Sequence, residues 1–489
     1  MSERVLDAPV VFGTAKGASL PPGHESPRRS RLGPGHLDLV LILVGLGVLF
    51  VLPAAPPRPQ WHPGALFWHD GWERYRLLNA FVHGTPVSAL RHVHRHWSDR
   101  WPYLPTFAAL PLWYLGELVK TPSWWIVRFN WFVTAGCLGV LWLGLRRRVD
   151  TGMLHTLFLL LLGASMLPGH LAAFFPLEVI SALLIGTGVI LAATGRPVSG
   201  WTAVVLGTAS IPATLPALML VATVAAIIRR RLRLLVIPAA AGLLICADQW
   251  VRNGTFGLGY ASTDRGAHSV LPYSTHPGFS YPLGFGLLAV LFSAGKGLVF
   301  FAPGLLVPAR RALSLTHRGL WRSQLLLLCF VAGLVVTLAR WWGWDGGFFW
   351  GPRFFLVASV PACLALAARL RHPPGSVAGK LAVLGVLVLS VWVAIDGAVF
   401  GLSGLQICDP ALHGNTTYLC DSVPEFSVLW HPFVGGLHIT GGRHIAYLLF
   451  ALAVLVRLAG PLLAQTLRQS ARGWPAGWQL RGLLAGWHL

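Results

Sequence analysis

Long apolar runs separated by short clusters of arginine extend from about residue 37 to about residue 465 of the 489-residue chain. A helix of about 20 apolar residues is long enough to cross the hydrocarbon core of a bilayer. The pattern therefore predicts an all-α transmembrane bundle of about twelve spans. The spans are predicted near 37–55, 124–145, 153–168, 177–194, 200–228 (two short helices), 234–250, 283–309, 322–340, 353–369, 378–400 and 443–464.

Two segments need separate treatment. Pro212 and Pro216 interrupt the run 200–228 near its middle, and basic residues flank the run at both ends. Because prolines break helices and basic flanks favour one side of the membrane, this run is predicted as a hairpin of two short helices. The run 104–119 contains Glu117 and two prolines, and it is predicted as an interfacial or re-entrant segment.

Composition and charge both indicate that lipid is the main solvent of this chain. Hydrophobic residues make up 55% of the sequence and charged residues 11%, against about 25% charged residues in soluble domains. The formal net charge is +21, but the basic residues cluster at the ends of apolar runs, as the positive-inside rule describes. Their expected partners are membrane lipids and no nucleic acid. The clusters lie at 28–31, 146–148, 229–233, 310–311, 369–371 and 468–472.

The same rule predicts how the chain is divided between the two sides of the membrane. A disordered cytoplasmic tail at 1–36 precedes the transmembrane domain 37–465, and a second cytoplasmic tail follows at 466–489. No short apolar core with a small-residue cleavage site precedes the first run, so no removable signal peptide is expected. The non-cytoplasmic loops are predicted at 56–123, 251–282, 341–352 and 401–442.

Polar chemistry concentrates in these four outer loops. Cys408 and Cys420 flank a polar stretch of the last loop and are predicted to form a disulfide on the oxidising side, whereas the other four cysteines fall in apolar runs. Nine of the 17 acidic residues belong to the loops: Asp70, Glu73, Asp99, Glu117, Asp264, Asp345, Asp409, Asp421 and Glu425.

In the first outer loop, Asp70 and Glu73 stand three residues apart just before an amphipathic stretch. On a helix the two carboxylates share one face. Asp70 could act as a general base toward an acceptor hydroxyl at the membrane surface, with Glu73 tuning its pKa. The alternative is a helix start with Asp70 as N-cap and Glu73 at N3, and the residues alone leave both interpretations open.

Aromatic and histidine side chains of the same loop support weaker hypotheses. Trp68, Trp72 and Trp97 could stack on a sugar, although interfacial anchoring is the commoner role of tryptophan near a membrane. Three histidines alternate along 92–96, a spacing that suits a strand better than a helix, and no carboxylate pattern completes a metal site. The sequence therefore does not support a divalent metal.

Three basic residues at the outer ends of spans depart from the positive-inside rule. They are Lys296 in SAGKGL, Arg340 in LARWWGWDGG and Arg353 in GPRFF. A cation at this depth is unfavourable unless it is paired or reaches the interface. Asp345 could pair with one of them; otherwise the three suit an anionic group such as a lipid-linked phosphate, and we expect them to converge on one site.

The order of these motifs resembles the GT-C superfamily of integral membrane glycosyltransferases, particularly bacterial members similar to protein O-mannosyltransferases and lipid A aminoarabinose transferases. The resemblance covers less than half of the chain. It consists of Asp70, Glu73, Arg74 and Tyr75, the Tyr-Leu-Pro element at 103–105, the arginine-containing span 128–148, SAGKGL, and WWGWDGGFFWGPRFF. The family's adjacent acidic pair is spread to Asp70 and Glu73 here, and its Tyr-Pro-Pro element is reduced to Tyr-Leu-Pro.

The resemblance implies a glycosyltransferase of a bacterial inner membrane whose active site faces the exterior. It implies a polyprenyl-phosphate-linked sugar donor, a glycan, lipid or protein acceptor, and inversion at the anomeric carbon. Asp70 matches the position of the base, with Glu73 beside it. Lys296, Arg340 and Arg353 match the donor-phosphate site, and the other expected substrate contacts are Tyr75, Tyr103 and Asp345.

Other classes of membrane protein remain as alternatives. A transporter or flippase of a lipid-linked sugar would also need outer basic residues, but it should carry ionisable groups near mid-membrane. Glu178 and Asp248 both lie near predicted span ends, which favours surface chemistry. A polymerase or ligase of lipid-linked glycans and a purely structural membrane protein are the remaining readings.

Overall fold

The computed structural model describes residues 34–53, 69–84, 102–173, 176–254, 256–257, 278–347, 349–403, 405–408, 417–439 and 441–472. Within these ranges the chain is helical and contains no strand, which confirms the all-α prediction. The α-helices are α1 Pro34–Val51, α2 His69–Val82, α3 Tyr103–Ala108, α4 Leu110–Leu118, α5 Pro122–Ile126, α6 Phe129–Leu145, α7 Thr151–Gly163, α8 Leu167–Ala172, α9 Leu177–Ala193, α10 Pro197–Ser210, α11 Leu215–Arg229, α12 Val236–Asn253, α13 Leu283–Phe292, α14 Leu298–Phe301, α15 Arg310–Thr316, α16 Arg318–Leu338, α17 Ser359–Arg371, α18 Val377–Ile395, α19 Thr417–Ser422, α20 His431–Gly435 and α21 Gly442–Arg472.

Shorter helical turns join several of these helices into longer segments. They are Pro212–Thr214, Leu232–Leu235, Pro303–Leu306, Arg353–Ala358, Gln406–Cys408, Pro424–Phe426 and the wider turn Asp396–Phe400. Seven segments of the described chain are long and apolar enough to cross a membrane: Pro122–Leu145, Pro212–Arg229, Leu232–Arg252, Arg318–Leu338, Arg353–Arg371, Val377–Phe400 and Gly442–Ala471. Four shorter apolar helices accompany them: Gly35–Val51, Thr151–Gly163, Leu177–Ala193 and Leu283–Phe292.

The middle of the bundle is formed by helices that are buried on every side. In α7 every residue from Met153 to Gly163 is buried, and α9 is buried along its whole length apart from Leu184. Helices at the periphery expose apolar side chains instead, such as Leu243 of α12 (71% exposed) and Val456 of α21 (72%). Exposed apolar faces around a buried apolar centre are expected where lipid surrounds the protein.

The run 200–228 is divided as the prolines predict. Helix α10 ends at Ser210, and α11 begins at Leu215. The two helices do not pack mainly on one another, because α10 lies along α9 and α11 lies along α16. A Cβ atom on Gly200 would lie 2.5 Å from the Gly188 carbonyl oxygen, so glycine allows α9 and α10 to touch through their backbones.

The predicted span 283–309 is not one continuous helix. Helix α13 ends at Phe292, Ser293 is extended, and helical structure resumes in α14 at Leu298 and in the turn Pro303–Leu306. Hydropathy does not detect this break, since the alanine and glycines around Lys296 keep the average apolar. The predicted re-entrant run 104–119 forms the short helices α3 and α4.

Three of the arginine clusters, at 146–148, 229–233 and 369–371, meet at one end of the bundle. An Arg371 nitrogen lies 2.9 Å from an Asp150 carboxylate oxygen, and Arg148 donates a hydrogen bond to the Thr194 carbonyl. Arg229 donates to the Ala192 carbonyl at 2.9 Å. Clusters that the positive-inside rule assigns to one side of the membrane therefore share one end of the fold, called here the arginine end.

Candidate active site

At the end opposite the arginine end, Lys296 joins two of the motifs singled out in the sequence. Its side chain is 4% exposed, and its Nζ donates to the carbonyl oxygens of Gly347 (3.0 Å), Phe349 (2.5 Å) and Gly351 (3.2 Å). An ammonium group has three hydrogens to donate, so these contacts use its full capacity. Lys296 therefore holds the loop 345–351 against the break between α13 and α14.

The local sequence explains how three carbonyls of one short loop can face the same ammonium. Gly347 and Gly351 have positive φ values of 75° and 64°, a region that other residues rarely adopt. Asp345 fixes the start of the loop, because its Oδ2 accepts a hydrogen bond from the Gly347 nitrogen at 3.1 Å. Within the described residues Asp345 forms no ion pair with Arg340 or Arg353, although its charge acts on Lys296.

Arg353 follows the loop and lies next to an acidic residue of α9. Its Nη1 is 3.6 Å from Oε1 of Glu178, and the side chains are 11% and 4% exposed, respectively. The guanidinium carbon also lies 3.8 Å from the Phe349 ring centroid, a cation–π distance. Sequence reasoning noticed Glu178 only as an acid near a span end. Its position just after Pro176, in the first turn of a buried helix, was the available signal.

A second polar contact was missed from the sequence. Trp350 Nε1 donates to Oδ2 of Asp396 at 2.7 Å, and the His170 ring meets the Trp350 ring edge to face with centroids 5.6 Å apart. Asp396 is fully buried in the wider turn that ends the α18 segment. Gly169 and Gly397 leave the space that the indole occupies, since a Cβ on either would lie within 2.7 Å of it.

The predicted last outer loop packs against this cluster. Cys408 and Cys420 form a disulfide, which confirms the prediction. The Gly295 nitrogen donates to the Asp421 carbonyl at 3.0 Å, and Ser427 Oγ donates to the Ala294 carbonyl at 2.7 Å. The loop is therefore fastened to the segment that carries Lys296.

Asp421 presents its carboxyl group in this buried contact. Burial raises the pKa of Asp421 well above its ordinary value, the nearby Asp345 carboxylate raises it further, and Lys296 opposes the shift. Two acids, Asp421 and Asp345, and one like charge, Arg353, thus act on Lys296.

Helix α2 carries the acidic pair of the first outer loop. The helix begins at His69, so Asp70 is its second residue and Glu73 its fifth, which is not the N-cap and N3 arrangement of the alternative interpretation. The side chains of Asp70, Trp72 and Glu73 lie outside the described residues. Leu78 packs in a cluster with Trp113, Phe129 and Ile180. Because Ile180 stands two residues after Glu178 on α9, α2 is anchored to the helix that supports Arg353.

Tyr75 and Tyr103, the two tyrosines of the resemblance, both lie in helices and contact other described residues. Tyr75 lies 4.9 Å from Trp113 between ring centroids, and burial, with the Glu117 charge adding to it, raises the pKa of Tyr75. The Tyr-Leu-Pro element begins a helix, because Tyr103 is the first residue of α3. The Tyr103 nitrogen donates to Asp248 at 2.9 Å, and Asp248 pairs with Arg252 at 2.7 Å.

The structure brings together two of the three predicted outer cations. Lys296 and Arg353 interact across the loop 345–351, whereas Arg340 is exposed at the end of α16. The predicted role of Arg340 stays a prediction. Trp68, Trp97 and the histidines of 92–96 lie outside the described residues, and within the described part no three His, Cys, Asp or Glu side chains form a candidate metal site.

Comparison with known proteins yields one structural similarity. No family model matches the sequence, and no curated protein matches it. The chain is similar to the crystal structure of ArnT from Cupriavidus metallidurans bound to undecaprenyl phosphate, with 16% identity, 89% of this chain and 78% of that chain covered, and a TM-score of 0.47. At this identity and TM-score the similarity assigns neither a family nor an activity to the chain.

Proposed function

We propose that this protein is a membrane glycosyltransferase of the GT-C type, which transfers a sugar from a polyprenyl-phosphate donor to an acceptor hydroxyl on the non-cytoplasmic face. The observation that carries the proposal is the pairing of Arg353 with Glu178 beside the Lys296-bound loop, at the end of the bundle opposite the arginine end. A guanidinium at this place, 3.6 Å from a carboxylate, offers the planar, charged donor group that suits a phosphate.

In the proposed reaction Asp70 takes the proton of the acceptor hydroxyl, and the hydroxyl oxygen attacks the anomeric carbon of the donor. The bond between that carbon and the phosphate oxygen breaks with inversion, and the electron pair leaves with polyprenyl phosphate. A lipid phosphate leaves readily when its charge is neutralised, so the main demand on the site is electrostatic. Glu73 tunes the pKa of Asp70 in this scheme.

The contacts support different roles for the basic residues. Arg353 is the planar, bidentate donor that suits a phosphate, and the exposed Arg340 is able to reach the headgroup region. The hydrogens of Lys296 are directed to loop carbonyls, so its proposed role is to position the loop and to add positive potential. Tyr75, Tyr103 and Asp345 are proposed to shape the substrate site around them.

The decisive experiment is to incubate the purified full-length protein with polyprenyl-phosphate sugars and to measure release of polyprenyl phosphate. Release that requires an acceptor, and that falls in an Asp70→Asn variant of unchanged thermal stability, supports transfer. A protein that binds the donor but never releases the lipid phosphate contradicts it.

A flippase of a lipid-linked sugar is the second candidate, favoured by the fully buried acid Asp396. Its hydrogen bond to Trp350 and its place at the end of the α18 segment support a structural role instead. Movement of a labelled polyprenyl-phosphate sugar across proteoliposomes, with no release of lipid phosphate, would favour the flippase.

A further inference from the structure

A cavity of about 630 Å³ opens at the arginine end, and its lining includes neither Lys296 nor Arg353 nor Glu178. The segment 305–311 forms one wall, α16 contributes Trp321, Gln324 and Leu328, and α17 contributes Arg369. Leucine, valine and proline side chains dominate the walls. The volume is of the size that small-ligand sites have in proteins.

The charge of this cavity has one sign. Arg310, Arg311 and Arg369 line it, and none of the described residues that line it is acidic. Arg369 is held in place by a hydrogen bond from its Nε to the Pro308 carbonyl at 2.6 Å. The Arg310 guanidinium carbon lies 5.6 Å from the Trp321 ring centroid. Three guanidinium groups without a nearby acid in the lining attract an anion.

One buried polar side chain adds a second, independent requirement. Gln324 is 3% exposed, and within the described chain no donor reaches its Oε1 atom. A buried acceptor without a partner is unfavourable by about 1–3 kcal/mol, so such groups are usually satisfied by a ligand or by water. The ligand that fits this cavity therefore offers both a negative charge and a hydrogen-bond donor.

We infer that this cavity binds an anionic phospholipid with a hydroxyl-bearing headgroup, of the phosphatidylglycerol class, from the leaflet at the arginine end. The phosphate meets the arginines, and a glycerol hydroxyl donates to Gln324. Exposed apolar side chains beside the cavity, Leu306 (63% exposed) and Leu315 (68%), offer a surface for the acyl chains.

The same chemistry selects against two other membrane lipids. The ammonium group of phosphatidylethanolamine would enter a cavity lined by three positive charges. A polyprenyl phosphate satisfies the arginines but carries no headgroup hydroxyl for Gln324. Basic cavities between helices are a recognised means of binding anionic headgroups. The inference does not depend on the proposed transferase activity.

The test is native mass spectrometry of the full-length protein with phosphatidylglycerol, phosphatidylethanolamine or undecaprenyl phosphate added at equal concentration. We expect one phosphatidylglycerol to be retained preferentially. Arg310→Gln should lower its affinity about fivefold, the effect of about 1 kcal/mol per basic residue at a membrane surface. Gln324→Leu should lower it by a similar factor, the effect of one neutral hydrogen bond.

Arg322→Gln is the matched control, because Arg322 is an exposed arginine of α16 that does not line the cavity. It should leave lipid retention unchanged, and the thermal midpoints of all variants should show that they are folded. Three results would overturn the inference: equal retention of phosphatidylethanolamine, displacement of phosphatidylglycerol by undecaprenyl phosphate, or a loss in Arg322→Gln as large as in Arg310→Gln.

Discussion

Arg353 Nη1 lies 3.6 Å from Glu178 Oε1, at the long end of the range for an ion pair. The contact joins the turn after the Gly-Pro-Arg motif to the first turn of the buried helix α9. Because both side chains are largely buried, each charge depends on its few neighbours for compensation. The pair therefore stabilises the contact between the turn and α9, and a phosphate bound to Arg353 would compete with Glu178 for the guanidinium.

The first prediction concerns Glu178→Gln. Removing the carboxylate leaves Arg353 buried with less compensation, so we expect the free energy of unfolding to fall by about 3 kcal/mol. Added polyprenyl phosphate should raise the thermal midpoint of this variant more than that of the wild type, because the anion replaces the missing charge. Thermal unfolding in detergent with and without the lipid measures both effects.

Asp150→Asn serves as its control. Asp150 pairs with Arg371, but the two side chains are 56% and 45% exposed, and asparagine also caps a helix well. Exposed pairs contribute less than about 1 kcal/mol, so this variant should unfold near the wild-type temperature. Equal losses of thermal stability in both variants would mean that the buried Arg353–Glu178 pair contributes no more to folding than the exposed Arg371–Asp150 pair.

The second prediction separates Lys296 from Arg340. Lys296→Met leaves three loop carbonyls without their donor, and each buried unsatisfied group is unfavourable by about 1–3 kcal/mol. We expect a clear fall in the thermal midpoint together with lost transfer. Arg340→Gln removes an exposed side chain, so it should change the apparent affinity for the donor while the midpoint stays the same. If Lys296→Met is as stable as the wild type, its contacts do not hold the loop.

The third prediction concerns the base. Asp70 is the second residue of α2, so replacement by asparagine, which has nearly the same size, loses mainly the interaction of the charge with the helix dipole, about 0.3–1 kcal/mol. Asp70→Asn should leave the thermal midpoint nearly unchanged while lowering transfer by about 10² or more, the usual effect of losing a general base. Glu73→Gln should have a smaller effect. Full activity of Asp70→Asn would exclude Asp70 as the base and make Glu73, Asp345 and Asp99 the next candidates.

The fourth prediction concerns the disulfide. Its two cysteines are separated by 12 residues in sequence, and in the chain-entropy model such a crosslink contributes roughly 3 kcal/mol. Replacing both cysteines by serine should lower the thermal midpoint and also lower transfer, because Asp421 and Ser427 are bonded to the segment beside Lys296. Reductant should destabilise the wild type and leave the double variant unaffected. A double variant with unchanged transfer would show that the loop is not coupled to the site.

The fifth prediction concerns pH. The pKa of Asp421 is raised in the folded state, so between its unfolded and folded pKa values the unfolded chain has released the proton that the folded chain keeps. Rising pH therefore removes stability across this window. Asp421→Asn, which cannot ionise, should gain thermal stability relative to the wild type as the pH rises from about 4 toward neutrality. A difference that does not vary with pH would contradict the raised pKa.

The sequence predicted the features that follow from residue types and their order along the chain. Apolar runs and arginine clusters predict the helices and the arginine end, and loop polarity predicts the Cys408–Cys420 bond. Lys296 and Arg353 were recognised because a cation at the predicted outer end of a span is unfavourable unless it is paired or binds an anion.

The partners of these cations could not be predicted. Which carbonyls face Lys296 depends on the positive φ angles of Gly347 and Gly351, which belong to a loop about 50 residues away. The pairing of Glu178 with Arg353 depends on which helices α9 packs against. The spacing of hydrophobic residues predicts a helix but does not identify its neighbours. The break at Ser293 was missed because hydropathy averages over short irregular segments.

The contact between Gly295 and the last outer loop limits how this protein can vary. A Cβ atom on Gly295 would lie 1.9 Å from the Cys420 carbonyl oxygen, a distance that no relaxation of a side chain can relieve. Any larger residue at 295 therefore requires the backbone of the disulfide loop to move away. Related chains that retain the loop in this position should keep glycine at 295, and a side chain should appear there only in lineages whose loop has been shortened or rebuilt. The two segments should thus be inherited as one unit.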